Sequence, residues 1–279
     1  MNIIDCVYNL VTNPINHLTE YYQGRNRANN AGDALEEYVK DLFCNTFNYT
    51  ETERLEKISE VFSYAGNNSN PPDIMLRGGD AIEVKKIESN NSALALNSSY
   101  PKHTLLSSSN MISKDCKNAE VWAEKDMIYV VGVVDKRSND LVHLCMVYGL
   151  DYCASDECYS RIKRTIKNGV ESIPNIDFVE TNELGKINKV DPLGITYLRI
   201  RGMWGIENPW TVYNYVYQRD MSKDFNFMCI INANKWNSFD NTKIIENISV
   251  DGFKITDIKI KNPDNTAQLR EAKLITYSR

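Results

Sequence analysis

Two acidic residues and one lysine surround a short glycine-containing turn: Asp73, Glu83 and Lys85. Alternate side chains of an extended strand point to opposite faces, so Glu83 and Lys85 share one face. Ile82 and Val84 take the other face, towards the core. The sequence therefore predicts an acid and an amine side by side on one surface of a strand, with a second acid nearby.

Carboxylates and an amine in this arrangement suit metal-assisted cleavage of phosphodiesters. Carboxylate oxygens are hard ligands for Mg²⁺, which needs only one or two of them and keeps several waters. The metal stabilises charge on the phosphate and lowers the pKa of a bound water. A neighbouring lysine can orient that water or neutralise the developing charge.

The side on which Asp73 lies depends on the turn. A loop of the two glycines alone places Asp73 opposite Val84, facing away from Glu83. A three-residue loop, 78–80, places Asp73 opposite Lys85 and on the face of Glu83. A bend at the preceding proline is another route to that face. The last two alternatives gather both acids and the amine.

Two neighbouring residues are alternatives for the same roles. Asp80 could replace Asp73 as a ligand, but it lies in the turn, where Asp is common for backbone reasons. Lys86 could replace the lysine, but its parity places it on the face opposite Glu83.

The same pattern occurs a second time, near the end of the chain. Asp264 follows a proline, and Glu271 and Lys273 follow it. No apolar strand follows Asp264 directly and no acidic helix precedes it, so the first copy is the better candidate.

A helix is predicted from about Gly32 to Thr46, where apolar residues recur with helical periodicity. Glu36 borders this apolar stripe, whereas Glu37 points to the back. A solvated surface charge is the alternative interpretation of Glu36.

These segments resemble known nucleases. A Pro-Asp pair, a spacer and Glu-x-Lys resemble the PD-(D/E)xK nuclease motif, and the preceding helix with Gly32 and Glu36 also fits. The longer strings NSNPPDIMLRGGDAIEVKK, LALNSSYPK and YLRIRGMW resemble type II restriction endonucleases of the NgoPII family, over about residues 24–217.

The resemblance implies roles for individual residues. Asp73, Glu83 and Val84, the residue that follows Glu83, would form the metal site for Mg²⁺. Lys85 would be the catalytic lysine and Glu36 an auxiliary acid.

A second segment, Tyr197 to Trp204, has features of DNA recognition. In a strand, Arg199 and Arg201 share a face while Leu198 and Ile200 bury the other. Paired guanidinium groups are the commonest readers of guanine O6 and N7. The alternative is a pair of surface arginines engaged in ion pairs.

A third segment, Leu96 to Lys102, follows the predicted catalytic strand. Its small hydroxyls, amide and lysine suit contacts to phosphates or bases, and they equally suit an ordinary loop. The DNA-contact candidates here are Asn97, Ser98, Ser99, Tyr100 and Lys102.

Composition excludes several classes of protein. Hydrophobic residues are 42% and charged residues 25%, which excludes disordered and fibrous chains. No window is apolar enough for a membrane span, and no export signal is present, so we expect a cytoplasmic protein. The net charge of −5 disfavours a general polyanion-coating protein, and three scattered histidines give little support to a zinc site. Seven scattered cysteines are interpreted as reduced thiols.

The order of the remaining elements predicts an α/β fold. Apolar strands are expected at about 127–134, 144–148 and 227–231, a helix at about 155–167, and a hairpin at Asp251-Gly252. We expect a central mixed sheet flanked by helices, with a β-rich C-terminal part, and the resemblance implies that this sheet is a restriction-endonuclease-like core. The prediction is one endonuclease domain, 1–279, with a catalytic core of about 24–170 and a DNA-recognition part of about 171–279.

The predicted function is a type II restriction endonuclease that cuts both strands of a short palindrome in double-stranded DNA. The resemblance implies a G+C site such as GGCC, and the two-fold symmetry of a palindrome favours a homodimer. A cognate methyltransferase would act on the same site. A repair nuclease on the same core and a non-catalytic DNA-binding protein are the alternatives.

Overall fold

The computed structural model of the protein describes residues 1–15, 17–23, 27–28, 30–66 and 70–279. Part of the polar stretch that precedes Asp73, residues 67–69, therefore lies outside the described residues, as does Gly24. The described helices are α1 (Ile3–Thr12), α2 (Leu18–Gln23), α3 (Ala31–Cys44), α4 (Glu51–Val61), α5 (Lys114–Asn118), α6 (Gly149–Tyr152), α7 (Asp156–Glu171), α8 (Pro209–Val212), α9 (Ala233–Asn237) and α10 (Lys243–Glu246).

The strands fall into one large sheet and two small ones. They are β1 (Phe62–Ala65), β2 (Ile74–Leu76), β3 (Ala81–Ile87), β4 (Leu94–Asn97), β5 (Thr104–Leu106), β6 (Glu124–Val134), β7 (Leu141–Tyr148), β8 (Asp177–Val179), β9 (Gly185–Asn188), β10 (Leu198–Ile200), β11 (Trp204–Ile206), β12 (Asn226–Asn232), β13 (Phe253–Asn262) and β14 (Asn265–Ser278).

The large sheet has nine strands among the described residues, in the order β1-β2-β3-β6-β7-β12-β14-β13, with β5 paired to β6. The β3–β6 and β7–β12 pairs are parallel and the other pairs are antiparallel. The predicted mixed sheet flanked by helices is therefore confirmed, as are the three apolar strands and the helix that becomes α7.

Side-chain alternation divides the core into two layers, one on each face of the sheet. Ile82 and Val84 of β3 pack in the layer that contains α1 and α3. Ala81 of β3 and Met127 and Tyr129 of β6 belong to the opposite layer. Glu83 and Lys85 have the parity of this second layer, as the sequence predicted.

The helix α3 is well defined at both ends. The side chain of Asn30 accepts hydrogen bonds from the main-chain N–H groups of Gly32 and Asp33, and Asn45 ends the helix in the left-handed conformation. Its buried face, including Leu35 and Leu42, packs on the sheet. The predicted range from about 32 to 46 is confirmed to within two residues.

The register of the β2–β3 hairpin differs from both loops that the sequence suggested. Ile74 lies opposite Ile82, and the main-chain N–H of Leu76 donates to the carbonyl of Asp80. The loop therefore has three residues, but they are 77–79, with Gly78 at φ 64°. A left-handed glycine in the middle of the loop allows this earlier turn.

The C-terminal part also departs from prediction at one turn. Asp251-Gly252 leads into β13 and does not join two strands; the hairpin turn lies at Pro263-Asp264, between β13 and β14. Both dipeptides have turn-forming composition, so composition alone could not choose between them. No described helix is long and apolar enough to span a bilayer. The seven cysteines, all within the described ranges, are free thiols.

Gly149 allows the start of α6 to approach the main chain of Lys102 and His103 closely. A Cβ at Gly149 would lie 2.3 Å from the carbonyl oxygen of Lys102 and 2.6 Å from that of His103. Because both obstacles are backbone atoms, Gly149→Ala should lower the free energy of unfolding by about 1–3 kcal/mol. A Cβ at Gly169 of α7 has open space, so Gly169→Ala should stabilise by up to about 1 kcal/mol. Urea unfolding of both variants checks the pair, and equal stabilities would contradict the close approach.

Candidate active site

The strand β3 presents Glu83 and Lys85 on one face of the sheet. Lys85 Nζ lies 2.5 Å from Glu83 Oε1, and the Glu83 side chain is nearly buried. The neighbouring parallel strand β6 places Tyr129 beside Glu83. The Glu83 carboxylate is therefore packed against β6, and the Lys85 side chain beside it is more exposed.

Asp73 is held beside Glu83 by hydrogen bonds to Ile82 and Val84, the residues that precede and follow Glu83 in the chain. The main-chain N–H of Asp73 donates to the carbonyl of Ile82, at 3.1 Å. Its carboxylate Oδ2 accepts from the main-chain N–H of Val84, at 2.6 Å. Asp73, Glu83 and Lys85 line one cavity, so the structure brings the predicted trio together.

Burial raises the pKa of both acids, and repulsion by Asp73 adds to the effect at Glu83. Burial, and then the nearby Asp73, raise the pKa of Glu83 to about 7. Burial also raises the pKa of Asp73, although Lys85 and the hydrogen bond from Val84 oppose it. Burial alone would lower the pKa of Lys85, but Glu83 and Asp73 raise it above its usual value. The amine is therefore a cation at neutral pH.

The donor set fits a hard cation. Oε2 of Glu83 is buried and has no hydrogen-bond partner among the described residues. The described residues hold no group of three or more His, Cys, Asp or Glu suited to a metal. Two carboxylates are nevertheless enough for Mg²⁺, which keeps waters for the remaining positions.

The structure gives the adjacent acids Glu36 and Glu37 of α3 different surroundings. Burial, and then Asp73, raise the pKa of Glu36, so this half-buried acid lies within electrostatic reach of the trio. No hydrogen bond or ion pair joins Glu36 to the trio among the described contacts. Glu37 instead pairs with Arg54 and Lys40, each at 2.6 Å.

The two neighbouring alternatives are engaged elsewhere. Asp80 is buried on the opposite face of the sheet, where it accepts from the Tyr148 hydroxyl at 2.8 Å and from Lys235 at 2.7 Å. Lys86 pairs with Glu88 at 2.8 Å. Both therefore have a structural explanation.

The second copy of the motif does not form a cluster. Glu271 pairs with Lys259 at 3.0 Å, and Lys273 pairs with Asp257 at 2.6 Å, across the β13–β14 hairpin. Asp264 lies in the turn and accepts from the Ser155 main chain. These are cross-strand surface ion pairs.

The cavity above the trio has a volume of about 730 Å³ and gathers the three predicted segments. It is lined by Asn70, Pro71, Asp73, Glu83, Lys85, Leu96, Asn97, Ser98, Ser99, Tyr100, Lys102, Asn110, Met111, Met127, Tyr129, Asn182, Glu183, Arg199, Arg201, Gly202 and Met203. All predicted DNA-contact candidates thus face the space that the trio faces.

Both predicted arginines lie on the rim of this cavity, and both pair with one acid. Arg201 donates to Oε1 of Glu183 at 2.8–2.9 Å, and Arg199 Nε lies 3.3 Å from Oε2. The prediction that Leu198 is buried is wrong: it is 51% exposed, and Ile200 is half-buried. The small β8–β9–β10 sheet has no second layer over Leu198 among the described residues.

The loop after β4 is fixed by contacts to two distant segments. Ser98 Oγ donates to Glu183 at 3.0 Å, and Tyr100 donates to Asp156 at 2.7 Å. Lys102 is buried with its Nζ 3.6 Å from the centre of the Tyr100 ring. Burial lowers the pKa of Lys102 to about 8. Asn97 adopts the left-handed conformation, with φ 53°.

Among the lining residues that sequence reasoning missed, Tyr129 and Glu183 lie directly beside predicted site residues. Tyr129 shares the parity of Met127 in a strand that was already predicted, so alternation could have indicated it. Glu183 lies in the polar connection between β8 and β9, and no local pattern distinguishes it from neighbouring acids.

Comparisons with known proteins identify the family of the chain. The chain matches the family model described as NgoPII restriction endonuclease over residues 1–261. It is similar to the type II restriction enzyme NgoPII of Neisseria gonorrhoeae, with 63% identity over 277 residues, which are 99% of each chain. No solved structure matches the chain.

The raised pKa of Glu83 predicts how pH affects stability without metal. Between about pH 4.5 and 7 the folded protein keeps a proton that the unfolded chain has released, so folding becomes less favourable as pH rises. The Glu83→Gln variant has no titratable group at this position, so it does not lose stability in this way as the pH rises. Its stability relative to wild type should therefore rise by about 1–3 kcal/mol across that window, in urea unfolding with EDTA.

Glu180→Gln is the matched control. Glu180 is exposed, and its hydrogen bond from Lys167 lowers its pKa, so no such gain should appear. A Glu83→Gln difference that stays constant with pH would contradict the upward shift.

Proposed function

The chain belongs to the NgoPII restriction endonuclease family and is an endodeoxyribonuclease, and we propose that it is a type II enzyme that uses Mg²⁺. It would act in the cytoplasm on a short G+C palindrome such as GGCC in double-stranded DNA. Hydrolysis of both strands would leave 5′-phosphate and 3′-hydroxyl ends.

The observation that carries this proposal is the gathering of Asp73, Glu83 and Lys85 at one cavity whose rim holds Arg199 and Arg201. Groups suited to phosphodiester chemistry and groups suited to base recognition then face the same DNA. An accidental motif gives no reason for the two sets to converge.

Asp73 and Glu83 are the residues that would hold the metal. The unpartnered Oε2 of Glu83 supports this role, because a buried carboxylate oxygen without a donor is costly unless a cation satisfies it. The Val84 side chain is in the core, so only its main-chain carbonyl could contribute. When bound, Mg²⁺ supplies positive charge to the phosphate and acidifies a water.

Lys85 has the role of an electrostatic stabiliser. Its two acidic neighbours keep it protonated, so it donates hydrogen bonds and cannot serve as a general base at neutral pH. A cation 2.5 Å from Glu83 can orient the attacking water and offset charge that develops on the phosphate. Glu36, within reach of Asp73, would strengthen the negative potential that attracts the cation.

DNA recognition is assigned to the rim. Arg199 and Arg201 would read guanine, while Asn97, Ser98, Ser99, Tyr100 and Lys102 would contact phosphates or neighbouring bases. Burial lowers the pKa of Lys102 to about 8. A phosphate bound beside Lys102 would raise this pKa and favour the charged amine. An acidic protein can thus present a locally basic surface to DNA.

A homodimer completes the proposal, since one cavity contains one trio and a duplex has two strands to cut. α7 has no buried residue among the described ones and exposes Ile162 and Ile166, an apolar stripe suited to a second copy. A cognate methyltransferase would protect the host site without needing to bind this protein.

Digestion of a sequenced plasmid tests the function. With Mg²⁺ the wild-type protein should give a ladder of fixed fragments, and sequencing their ends gives the site and the cut position. Asp73→Ala or Glu83→Ala should abolish cleavage while DNA binding persists, because the metal ligands are lost and the rim is kept.

The second copy of the motif provides the control. Asp264→Ala and Glu271→Ala should cut as wild type does, since both residues lie on the distant hairpin. Loss of cleavage in these variants, with cleavage retained in Asp73→Ala, would overturn the assignment. Fragments without fixed ends would instead indicate a repair or structure-specific nuclease.

Lys85→Met should slow cleavage by at least about a hundredfold, because charge stabilisation and water orientation are lost together. Lys86→Met is the matched control and should have nearly wild-type rates, since Lys86 pairs with Glu88 away from the trio. Single-turnover rates on a short cognate duplex measure both. Near-wild-type turnover of Lys85→Met would remove this lysine from the mechanism.

A further inference from the structure

The acid Glu183 links three residues of the cavity that come from separate parts of the chain. Oε1 accepts from Ser98 Oγ at 3.0 Å and from Arg201 Nε at 2.9 Å, and Arg199 Nε lies 3.3 Å from Oε2. The Glu183 side chain is 9% exposed, whereas those of Arg199 and Arg201 are 55% and 59% exposed. The carboxylate is thus buried at the root of two exposed guanidinium groups.

The main chain around Glu183 is itself anchored. The carbonyl of Asn182 accepts from Lys163 Nζ of α7 at 2.6 Å, and Leu184 is buried on the other side of Glu183. A carboxylate on such a support has little freedom to follow a moving arginine. The exposed arginine side chains have more conformational freedom than this nearly buried carboxylate.

The mode of pairing leaves the recognition ends of the arginines available. Both guanidinium groups approach Glu183 through Nε, and Arg201 adds one contact from Nη2. A guanidinium has five N–H donors, so the terminal nitrogens still have donors for guanine O6 and N7. A carboxylate bound to both terminal nitrogens of an arginine would instead have occupied the donors that recognise guanine.

Resting on the proposed function, we propose that Glu183 is a positioning residue that determines specificity by holding Arg199 and Arg201 for base recognition. A free arginine side chain has many rotamers, and ordering it in advance lowers the cost of binding the correct base. The negative charge also opposes use of the arginines as general phosphate contacts. Glu183 thus favours the cognate sequence and disfavours all others.

Glu183→Gln tests this mechanism with little change in shape. The amide oxygen can keep the hydrogen bond from Arg201, but the amide carries no charge and has no second oxygen for the ion-pair contact with Arg199, so both tethering and charge compensation are weakened. Discrimination between a cognate duplex and a single-mismatch duplex should fall by about tenfold or more. Binding to unrelated DNA should tighten and depend more steeply on salt, by about 0.9 in the log–log slope for each added phosphate contact.

Two further variants separate charge and position. Glu183→Asp keeps the charge but moves the carboxylate away from the arginines. It should also lose discrimination, because the proposed role depends on the position of the carboxylate. Glu180→Gln removes a charge from the same connection, where Glu180 pairs with Lys167, and should leave discrimination unchanged. Melting curves establish that every variant is folded before binding is measured by fluorescence anisotropy.

A double-mutant cycle with Arg201→Ala shows whether Glu183 acts through the arginine. Glu183→Gln should reduce discrimination much less in the Arg201→Ala background than in the wild type. Unchanged discrimination in Glu183→Gln, or equal effects in both backgrounds, would overturn the inference. The wild-type digestion ladder tests the proposed function separately, because the ladder does not depend on what the Glu183 variants do.

Discussion

The pairing of β2 with β3 is the constraint on which the candidate site depends. Ile74 opposite Ile82 fixes Asp73 between the main-chain contacts to Ile82 and Val84, beside Glu83. Lys125 of β6 stabilises the turn, because its buried amine donates hydrogen bonds to the carbonyls of Leu76 and Gly79. A shift of one residue in a hairpin moves side chains to the opposite face, so these few hydrogen bonds decide whether two acids meet.

Gathering two carboxylates in a buried position has an electrostatic cost, and the protein offsets only part of it. Lys85 compensates the charge of one carboxylate. The second charge is not compensated, as the unpartnered Oε2 of Glu83 and the raised pKa of that acid indicate. A cation would remove this cost, because it satisfies the lone pairs and favours the ionised forms. The raised pKa of Glu83 and the proposed affinity for a cation therefore have one origin, the closeness of two buried carboxylates.

The rim follows the opposite electrostatic logic. Arg199 and Arg201 are exposed cations compensated from below by one nearly buried acid, Glu183. The large sheet supports the trio, whereas the small β8–β9–β10 sheet and the β4 loop support the rim. Ser98 of the β4 loop donates a hydrogen bond to Glu183, which is 85 residues later in the sequence. This hydrogen bond joins the β4 loop to the connection that leads into β9. A protein with a net charge of −5 can thus direct positive charge into a single cavity.

The sequence by itself determined what a local period can encode. A two-residue period fixed Glu83 and Lys85 on one face and Ile82 on the other, and a helical period fixed α3. It could not fix the register of Asp73, because loops of equal length can close at different residues once a glycine adopts positive φ. Only the tertiary structure placed Asp80 on the opposite face and Glu183 beneath both arginines. Those contacts join segments whose separation in sequence carries no periodic signal, so burial and charge compensation in the folded chain decided them.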